Sequence, residues 1–293
     1  MPADRALQEW RRLSEAGLNN RSIAAQIGMA EAQLVALGCG SASDALTTRL
    51  APQPLEVLQA LAALGPVKFV VRNDHAVMER SGGLQDLQDG ESILALGPEL
   101  RLTLSRAQVA SAFALREPRP SGTKRSLQLF DPSGETVMKV VCRDEASAFA
   151  FEELAERFRH DEQSSPPVRA RDNAAMAPPA GLPAPLVDFL HAAAKSGRPL
   201  GISVSNRGAR LEATTPIHRV KRSSRAPWIN VLDPGLDLHL HEARIVLCSD
   251  ESVPTGRRVD WFADDLSLAV SMQWEGALDG WPANPVASPA AQV

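Results

Sequence analysis

Two of the six histidines lie two positions apart, in the segment Leu238-His239-Leu240-His241. Residues i and i+2 of a β-strand point to the same face, so the two histidines share one face and the two leucines share the other. Two imidazoles on one face could hold iron or another transition metal, although such sites usually recruit a third ligand and the spacing shows none. A solvated strand face is the alternative, and it stays open.

The strongest local run of positive charge is residues 218–225, which contain Arg219, Lys221, Arg222 and Arg225. Such a cluster could bind an acidic group or partner, and a solvated loop before Trp228 is the alternative interpretation. We expect His218 in this run to lie on the surface. We expect the same of His75, which follows the turn signal Asn73-Asp74.

Motifs of known enzyme classes are absent from the sequence. It contains no phosphate-binding loop, dinucleotide fingerprint, His-Glu-x-x-His helix or nucleophile elbow. The neighbouring carboxylates Glu152-Glu153 and Asp264-Asp265 point apart on a helix or strand and form no acid/base pair. The three cysteines are about 100 residues apart, which suits neither a disulfide framework nor a zinc cluster, so we expect reduced thiols.

Composition narrows the class of protein and of partner. The 293 residues are 44% hydrophobic, enough for one large or two medium domains. The formal charge of -4, the 4% aromatic content and the absence of tyrosine argue against nucleic acid as a partner. No apolar run approaches the roughly 18 residues of a membrane span, and the N-terminus shows no signal core. We therefore expect a cytoplasmic protein without membrane insertion.

Helix-forming residues occupy the first 40 positions, broken at Asn19-Asn20. The segment after that break has a glycine, Gly28, where a helix-turn-helix needs close approach. A DNA-reading helix must offer basic or amide side chains, whereas the helix after Gly28 offers Glu31, Gln33 and apolar residues. We therefore expect this helical hairpin to pack against the rest of the protein.

Beyond Leu64 the hydrophobic pattern changes from helical spacing to strict alternation, which is typical of half-buried strands. Gly, Pro, Asn, Asp and Ser clusters separate the alternating runs, and a helix from about residue 145 to residue 159 closes the unit. The predicted strands are Val67–Val71, Ala76–Glu79, Leu100–Leu104, Ser126–Phe130 and Thr136–Val140. The fold class is therefore α+β, built on an antiparallel sheet.

Pro, Ala, Ser and Arg dominate residues 161–185, which predicts a linker. After it come a helix, Pro185–Ser196, and a second strand-rich stretch. We divide the chain into a first unit with its helical hairpin (1–160), the linker (161–185), a shortened second unit (186–282) and a flexible tail (283–293).

The second stretch repeats the first. Phe69–Asn73 followed by Ala76–Glu79 aligns without a gap to Ile202–Asn206 followed by Ala209–Glu212. Further along, Glu99-Leu100-Arg101-Leu102 aligns to Asp237-Leu238-His239-Leu240. Internal similarity of this kind predicts a tandem repeat of one sheet unit.

Several stretches in both halves resemble the haemin-degrading, haem-utilisation proteins of the HemS/ChuX type, and the resemblance covers most of the chain. In the first half these are Ile27–Leu34, Leu64–Val67, Arg72-Asn73, Glu79–Gly82 and Arg125–Asp131. In the second half they are Asn206–Gly208, Pro227–Pro234 and Leu238–Leu240. The resemblance implies two repeats packed into one saddle-shaped body that receives imported haem and passes it on or degrades it.

The resemblance also implies a departure at the haem site. In the family the second repeat opens with a helix that carries the iron-ligating histidine in an Asp-x-His-x-Phe-Phe setting, followed by a basic segment. This chain has the Pro/Ala linker there, and it lacks the family's C-terminal pocket tyrosine. His191, on the helix after the linker, is nearest in sequence order to that ligand but is not its aligned equivalent.

Haem needs an iron ligand, basic groups for its two propionates and an apolar slot. The sequence offers His191 as a candidate iron ligand, His239 as a second histidine candidate, and Arg101. Arg101 matches the family's first-repeat arginine near haem and could clamp a propionate. An exposed helical position for His191 and a solvated strand position for Arg101 stay open.

We therefore expect a cytoplasmic haem-binding protein for haem uptake, trafficking or degradation, with haem as its ligand or substrate. A haem importer or a haem oxygenase is the expected protein partner. The alternative is a non-catalytic interaction or regulatory module on a haem-utilisation fold that has lost haem ligation. Oxidative opening of the tetrapyrrole is an activity that the sequence alone leaves undecided.

Overall fold

The structure is a computed structural model that describes residues 2–40, 45–119, 122–142, 147–170, 182–183, 185–224 and 226–276. The helices of these residues are α1 (Ala3–Glu15), α2 (Asn20–Ile27), α3 (Glu31–Ala36), α4 (Pro54–Ala60), α5 (Ala148–Arg157) and α6 (Leu186–Ser196). Short 3-10 helices occupy Leu61–Leu64 and Arg106–Gln108. The predicted tail, 283–293, and linker residues 171–181 and 184 lie outside the described residues.

Strands make up most of the remaining described chain. The first half contributes β1 (Thr47–Leu50), β2 (Val67–Arg72), β3 (Ala76–Gly82), β4 (Asp86–Gln88), β5 (Ser92–Gly97), β6 (Leu100–Ser105), β7 (Ser111–Arg119), β8 (Gly122–Phe130) and β9 (Thr136–Cys142). The second half contributes β10 (Leu182–Pro183), β11 (Leu200–Ser205), β12 (Ala209–Thr215), β13 (Val220–Arg222), β14 (Trp228–Asp233), β15 (Leu236–His241), β16 (Ile245–Val253), β17 (Gly256–Ala263) and β18 (Leu268–Trp274). The α+β class and the tandem repeat predicted from the sequence are confirmed.

The strands form two nine-stranded antiparallel sheets, and each sheet combines strands from both halves of the chain. The first sheet has the order β1-β7-β8-β9-β2-β3-β15-β14-β13. The second sheet has the order β10-β16-β17-β18-β11-β12-β6-β5-β4. Six strands of each sheet come from one half and three cross over from the other, so hydrogen bonding crosses the sequence division at 161–185.

Alternating side chains decide which face of each sheet is buried. In β2, Phe69 and Val71 are buried while Lys68 and Arg72 on the other face are partly exposed. The inner faces of both sheets and the helices α4 to α6 form one core. In it the Phe189 ring of α6 lies 5.3 Å from Trp261 and 5.2 Å from Trp274, at distances typical of favourable aromatic pairs.

The structure corrects the predicted alignment of the third repeated strand. Ala76 pairs with Leu240, and its repeat counterpart Ala209 pairs with Leu104. Leu104 therefore matches Leu240, and Arg101 matches Asp237 instead of His239. Both strands alternate leucine with polar residues, so a shift by two keeps every leucine on the same face and leaves no trace in the hydrophobic pattern.

The helical hairpin docks on the outer face of the first sheet, in agreement with the expected packing role. The Glu31 side chain at the start of α3 is 1% exposed and lies between Lys139, at 2.7 Å, and Arg72, with a hydrogen bond from Thr136. A second contact is Gly134, whose carbonyl accepts from the Ala32 backbone N–H at 2.9 Å. These contacts cover one end of that face and leave the other end open.

Candidate functional site

The open end of the first sheet's outer face forms a cleft of about 730 Å³, which we call the first-sheet cleft. Its size is within the range of roughly 300–1,000 Å³ that is typical of small-molecule sites. Its lining includes Lys68, Val70, Arg72, Val77, Glu79, Lys124, Lys139, Val141, Trp228, Asn230 and His239. They come from six strands of the sheet, with a valine from each of β2, β3 and β9 in the floor.

His239 stands in a row of side chains that crosses the sheet. It lies opposite Val77 of β3 on one side and opposite Asn230 of β14 on the other. The ring is half-buried, and its Nδ1 is 2.7 Å from Oδ1 of Asn230. One edge of the cleft is Trp228, whose ring centre is 5.0 Å from that of His241. The row thus places an imidazole between a valine and an amide, and the indole of Trp228 lies in a neighbouring row.

Cations surround the apolar floor, and each has a carboxylate partner. Lys68 donates to Glu79 at 2.7 Å and to Asp237 at 2.9 Å. Its burial favours the neutral amine, but those two hydrogen bonds raise the pKa of Lys68 above its ordinary value. The side chain of Lys124 is 43% exposed, and its Nζ lies 3.4 Å from Glu117, too far for a strong hydrogen bond. Lys124 is therefore the lysine best placed to donate a hydrogen bond to a ligand carboxylate.

A second cleft, of about 550 Å³, lies on the outer face of the second sheet and is called the second-sheet cleft. Its floor is small and polar, with Gly201, Ser203 and Ser271 on neighbouring strands. The arginines in its lining are Arg198, Arg210 and Arg258. Arg258 pairs with Asp260, and Arg210 lies 3.2 Å from Glu212. Neither histidine nor cysteine occurs among the described residues that line it.

The structure separates the three predicted haem-binding residues. His239 lies in the first-sheet cleft. Arg101 projects from β6 on the second sheet, where its side chain is 58% exposed and 3.7 Å from Glu212 at the edge of the second-sheet cleft. His191 is exposed on α6. Neither cleft of the described residues contains two of the three.

The expected surface position of His75 is wrong. Its side chain is 5% exposed, and Nε2 lies 3.1 Å from Oδ2 of Asp265. The turn that carries it is at the junction of the two sheets, which no local pattern reveals. His241 shares the outer face with His239, as predicted, but its Nδ1 is buried without a hydrogen-bond partner among the described residues. Within the described chain no group of three His, Cys, Asp or Glu could hold a metal ion.

Part of the basic segment is strand and not loop. Val220–Arg222 form β13, the edge of the first sheet, and Arg222 donates to Glu242 at 2.8 Å. His218 is exposed, as expected, and its backbone N–H donates to the Asp233 carboxylate at 2.8 Å. Arg225 lies outside the described residues.

Sequence reasoning missed the side chains that give the first-sheet cleft its chemistry. Asn230 and Trp228 are separated from His239 and His241 by a turn, and their alternation in β14 is the only signal that places them on one face. Lys68 and Lys124 reach the same cleft through pairings of β2, β9 and β8. The strand register that joins these residues is not visible in any single segment.

Comparison with known families and structures gives a consistent result. The sequence model of the haemin-degrading HemS/ChuX domain matches residues 28–158 and 174–248. The hemin transport protein HmuS of Yersinia pestis is 34% identical over 142 residues, 47% of this chain and 39% of that protein. HemS of Yersinia enterocolitica, also a hemin transport protein, matches to the same extent. The matched part thus spans about two fifths of the length of these curated relatives.

Solved structures match over nearly the whole chain. The haem-bound form of PhuS, a heme-binding protein from Pseudomonas aeruginosa, has a TM-score of 0.84, 25% identity and 94% coverage of both chains. ChuS, a heme-degrading enzyme of Escherichia coli O157:H7, has a TM-score of 0.82 and covers 96% of both chains at 23% identity, which establishes a common fold. Among the described residues, no helix is long and apolar enough to cross a membrane.

Proposed function

Because this chain belongs to the family of haemin-degrading HemS/ChuX proteins, we propose that it binds haem in the cytoplasm and handles it during haem utilisation. The resemblance implies that the linker replaces the family's axial histidine, so other side chains of this chain must form the haem site. We place haem in the first-sheet cleft. The observation that carries this assignment is the presence of His239 above an apolar floor in that cleft.

The first-sheet cleft supplies each group that haem binding requires. A neutral imidazole is a common iron ligand, and His239 is half-buried there. Val70, Val77 and Val141 offer an apolar surface for the macrocycle, with Trp228 at one edge. Lys124 is exposed enough to pair with a propionate, and a charge-assisted hydrogen bond of this kind is stronger than one between neutral groups.

The second-sheet cleft is a poorer fit to haem. Its described lining has three arginines that could pair with propionates but no nitrogen or sulfur ligand that reaches the cavity, since Met272 is fully buried. By the resemblance to the family, Arg101 at its edge corresponds to an arginine that contacts haem. We retain Arg101 and His191 as comparison positions, because a haem site at either would lie away from His239.

Absorbance titration of the purified full chain with haemin tests the proposal. We expect a saturable, shifted Soret band at micromolar haemin. The band should be weakened strongly in His239→Ala and retained in His191→Ala and Arg101→Ala. A featureless titration of the wild-type protein would overturn the proposal. Loss of the band in Arg101→Ala alone would move haem to the second sheet.

Whether the chain also degrades haem is tested in a separate assay. The haem-loaded chain is incubated with a reductant and oxygen, and free iron and open tetrapyrrole are measured. We propose that the protein carries haem and that any oxidative opening draws its electrons from an external reductant. A haem importer as donor and a haem oxygenase as acceptor are the partners this role implies.

One observation favours a second function, a non-catalytic interaction module. Arg101 lies 3.7 Å from Glu212, and neither histidine nor cysteine occurs among the described residues that line the second-sheet cleft. A partner protein recovered with a chain that binds no haemin would support this second function and contradict the first.

A further inference from the structure

We propose that Nε2 of His239 is the iron-ligating atom of the first-sheet cleft and that Asn230 is the positioning residue that presents it. This inference rests on the proposed haem-binding function and names the atom and the residue on which that function depends. It is carried by the hydrogen bonds of Asn230 and by a comparison with the second copy of the same strand pair.

A contact on the far side of Asn230 favours one orientation of its amide. Its Nδ2 donates to the carbonyl of Lys221 in the neighbouring edge strand, at 3.4 Å. Because an amide nitrogen can only donate, this contact leaves Oδ1 directed towards His239. A carbonyl oxygen can only accept, so the group that Oδ1 contacts must bring a proton.

That requirement sets the tautomer of His239. Nδ1 lies 2.7 Å from Oδ1 of Asn230, so Nδ1 carries the proton in the neutral ring and Nε2 carries the lone pair. In the described part of the chain, no hydrogen bond involves Nε2. A histidine that donates from one ring nitrogen to a fixed acceptor while the other binds metal is the usual arrangement at metal sites in proteins.

The second copy of the repeat shows that the fold does not require this pair. The register places Asn230 opposite His239 in the first sheet and Leu94 opposite Thr103 in the second. The same strand pairs hold Trp228 opposite His241 and Ser92 opposite Ser105. The strand pair of the first sheet thus carries two histidines, an amide and an indole. The equivalent pair of the second sheet carries small or aliphatic side chains at those positions.

The two histidines of the first copy differ in a way that selects one of them. His239 is half-buried, lines the cleft and is held by Asn230. His241 packs its ring against Trp228, and its Nδ1 is buried with no hydrogen-bond partner in the part of the chain that the structure describes. An imidazole whose Nδ1 has no acceptor lacks the hydrogen bond that holds a metal-ligating ring in place. His241 therefore provides a matched control on the same strand and face.

The second copy of the strand pair supplies the substitutions for the test, because it carries Thr103, Leu94 and Ser105 at the positions of His239, Asn230 and His241. Each replacement is therefore a side chain that this strand pair already accommodates. The variants His239→Thr, Asn230→Leu and His241→Ser are prepared as full chains, and circular dichroism and thermal unfolding confirm that they fold. Haemin affinity and the Soret and electron paramagnetic resonance spectra are then measured. We expect His239→Thr to lose the histidine-ligated spectrum and to regain it with added imidazole.

Asn230 is tested by readouts that a merely structural role would not move. We expect Asn230→Leu to weaken haemin binding about 10- to 100-fold, the usual effect of removing an outer-shell partner. Asn230→Asp should keep the bound spectrum and shift the Fe(III)/Fe(II) midpoint potential to a more negative value, because a carboxylate makes the imidazole a stronger donor. His241→Ser should bind haemin within about twofold of wild type, since it lacks such a partner.

The outcomes separate the two proposals. If the wild-type chain binds no haemin, the proposed function fails. If it binds haemin and His239→Thr binds with the same affinity and spectrum, haem is bound but the ligand assignment is wrong. If only the Asn230 variants match wild type in affinity, spectrum and potential, the ligand stands and the positioning role is wrong.

Discussion

Asn73 and Asn206 join the two sheets through equivalent hydrogen bonds. Asn73 donates from the first sheet to the second, and Asn206 donates from the second sheet to the first. Asn73 Nδ2 donates to Ser205 O at 3.1 Å and to Ala269 O at 2.9 Å. Asn206 Nδ2 donates to Arg72 O at 3.0 Å and to Val137 O at 2.8 Å. Each Oδ1 also accepts from two N–H groups of its own turn. The pair therefore fixes the turns and the contact between the sheets at once.

Replacing either asparagine should destabilise the whole molecule. We expect Asn73→Ala and Asn206→Ala each to lower the free energy of unfolding by about 1–3 kcal/mol, because each leaves buried backbone groups without a partner. Urea unfolding at neutral pH measures this, with the exposed Ser224→Ala as control. The double variant should lose less than the sum, since the residues act on one junction. Additive losses would argue against a shared role.

The buried ion pair at Glu31 predicts an acid-sensitive helical hairpin. Burial alone would raise the pKa of Glu31, but Lys139 and Arg72 lower it from 4.5 to about 2. The charged carboxylate therefore contributes stability above about pH 4.5, and this contribution is lost as the pH falls through about 2. Urea unfolding between pH 7 and pH 2 should show the decline in that window.

Glu31→Gln tests the same pair at neutral pH. We expect a loss of about 3–5 kcal/mol, because the substitution leaves Lys139 and Arg72 buried without their counter-charge. The variant should also show a flatter decline in acid than wild type. Glu15→Gln, at an exposed position of α1, is the control and should leave both quantities unchanged. An equal acid decline in wild type and Glu31→Gln would show that another carboxyl group is responsible.

Lys124 is the predicted partner of a propionate. Removing its charge in Lys124→Ala should weaken haemin binding about tenfold, which corresponds to one charge-assisted hydrogen bond of about 1.4 kcal/mol. Lys124→Arg should keep most of the affinity, because arginine offers the same charge. Fluorescence quenching by haemin measures both. Arg101→Ala, on the second sheet, is the comparison and should bind like wild type. A larger loss in Arg101→Ala would place the propionates there.

The sequence predicted the local features of this fold and missed those that depend on distant pairing. Alternation in β2 and β15 placed Lys68 and His239 on outer faces, and the match of Asn73 to Asn206 revealed the repeat. The same alternation hid a two-residue error in the alignment of Arg101. Neither the burial of His75 nor the partnership of His239 with Asn230 could be predicted, because each depends on sheet register and not on its own segment.

Three strands from each half of the chain pair in the sheet of the other half, and this exchange decides whether the two halves can separate. A single repeat on its own would leave β3 or β12 with an open hydrogen-bonding edge, and its three crossing strands would have no sheet to join. Two separate copies could satisfy both needs only by trading strands, which is a swapped homodimer. A chain cleaved once between its halves should accordingly stay a single particle in gel filtration. The two fragments should recover their fold only when refolded together.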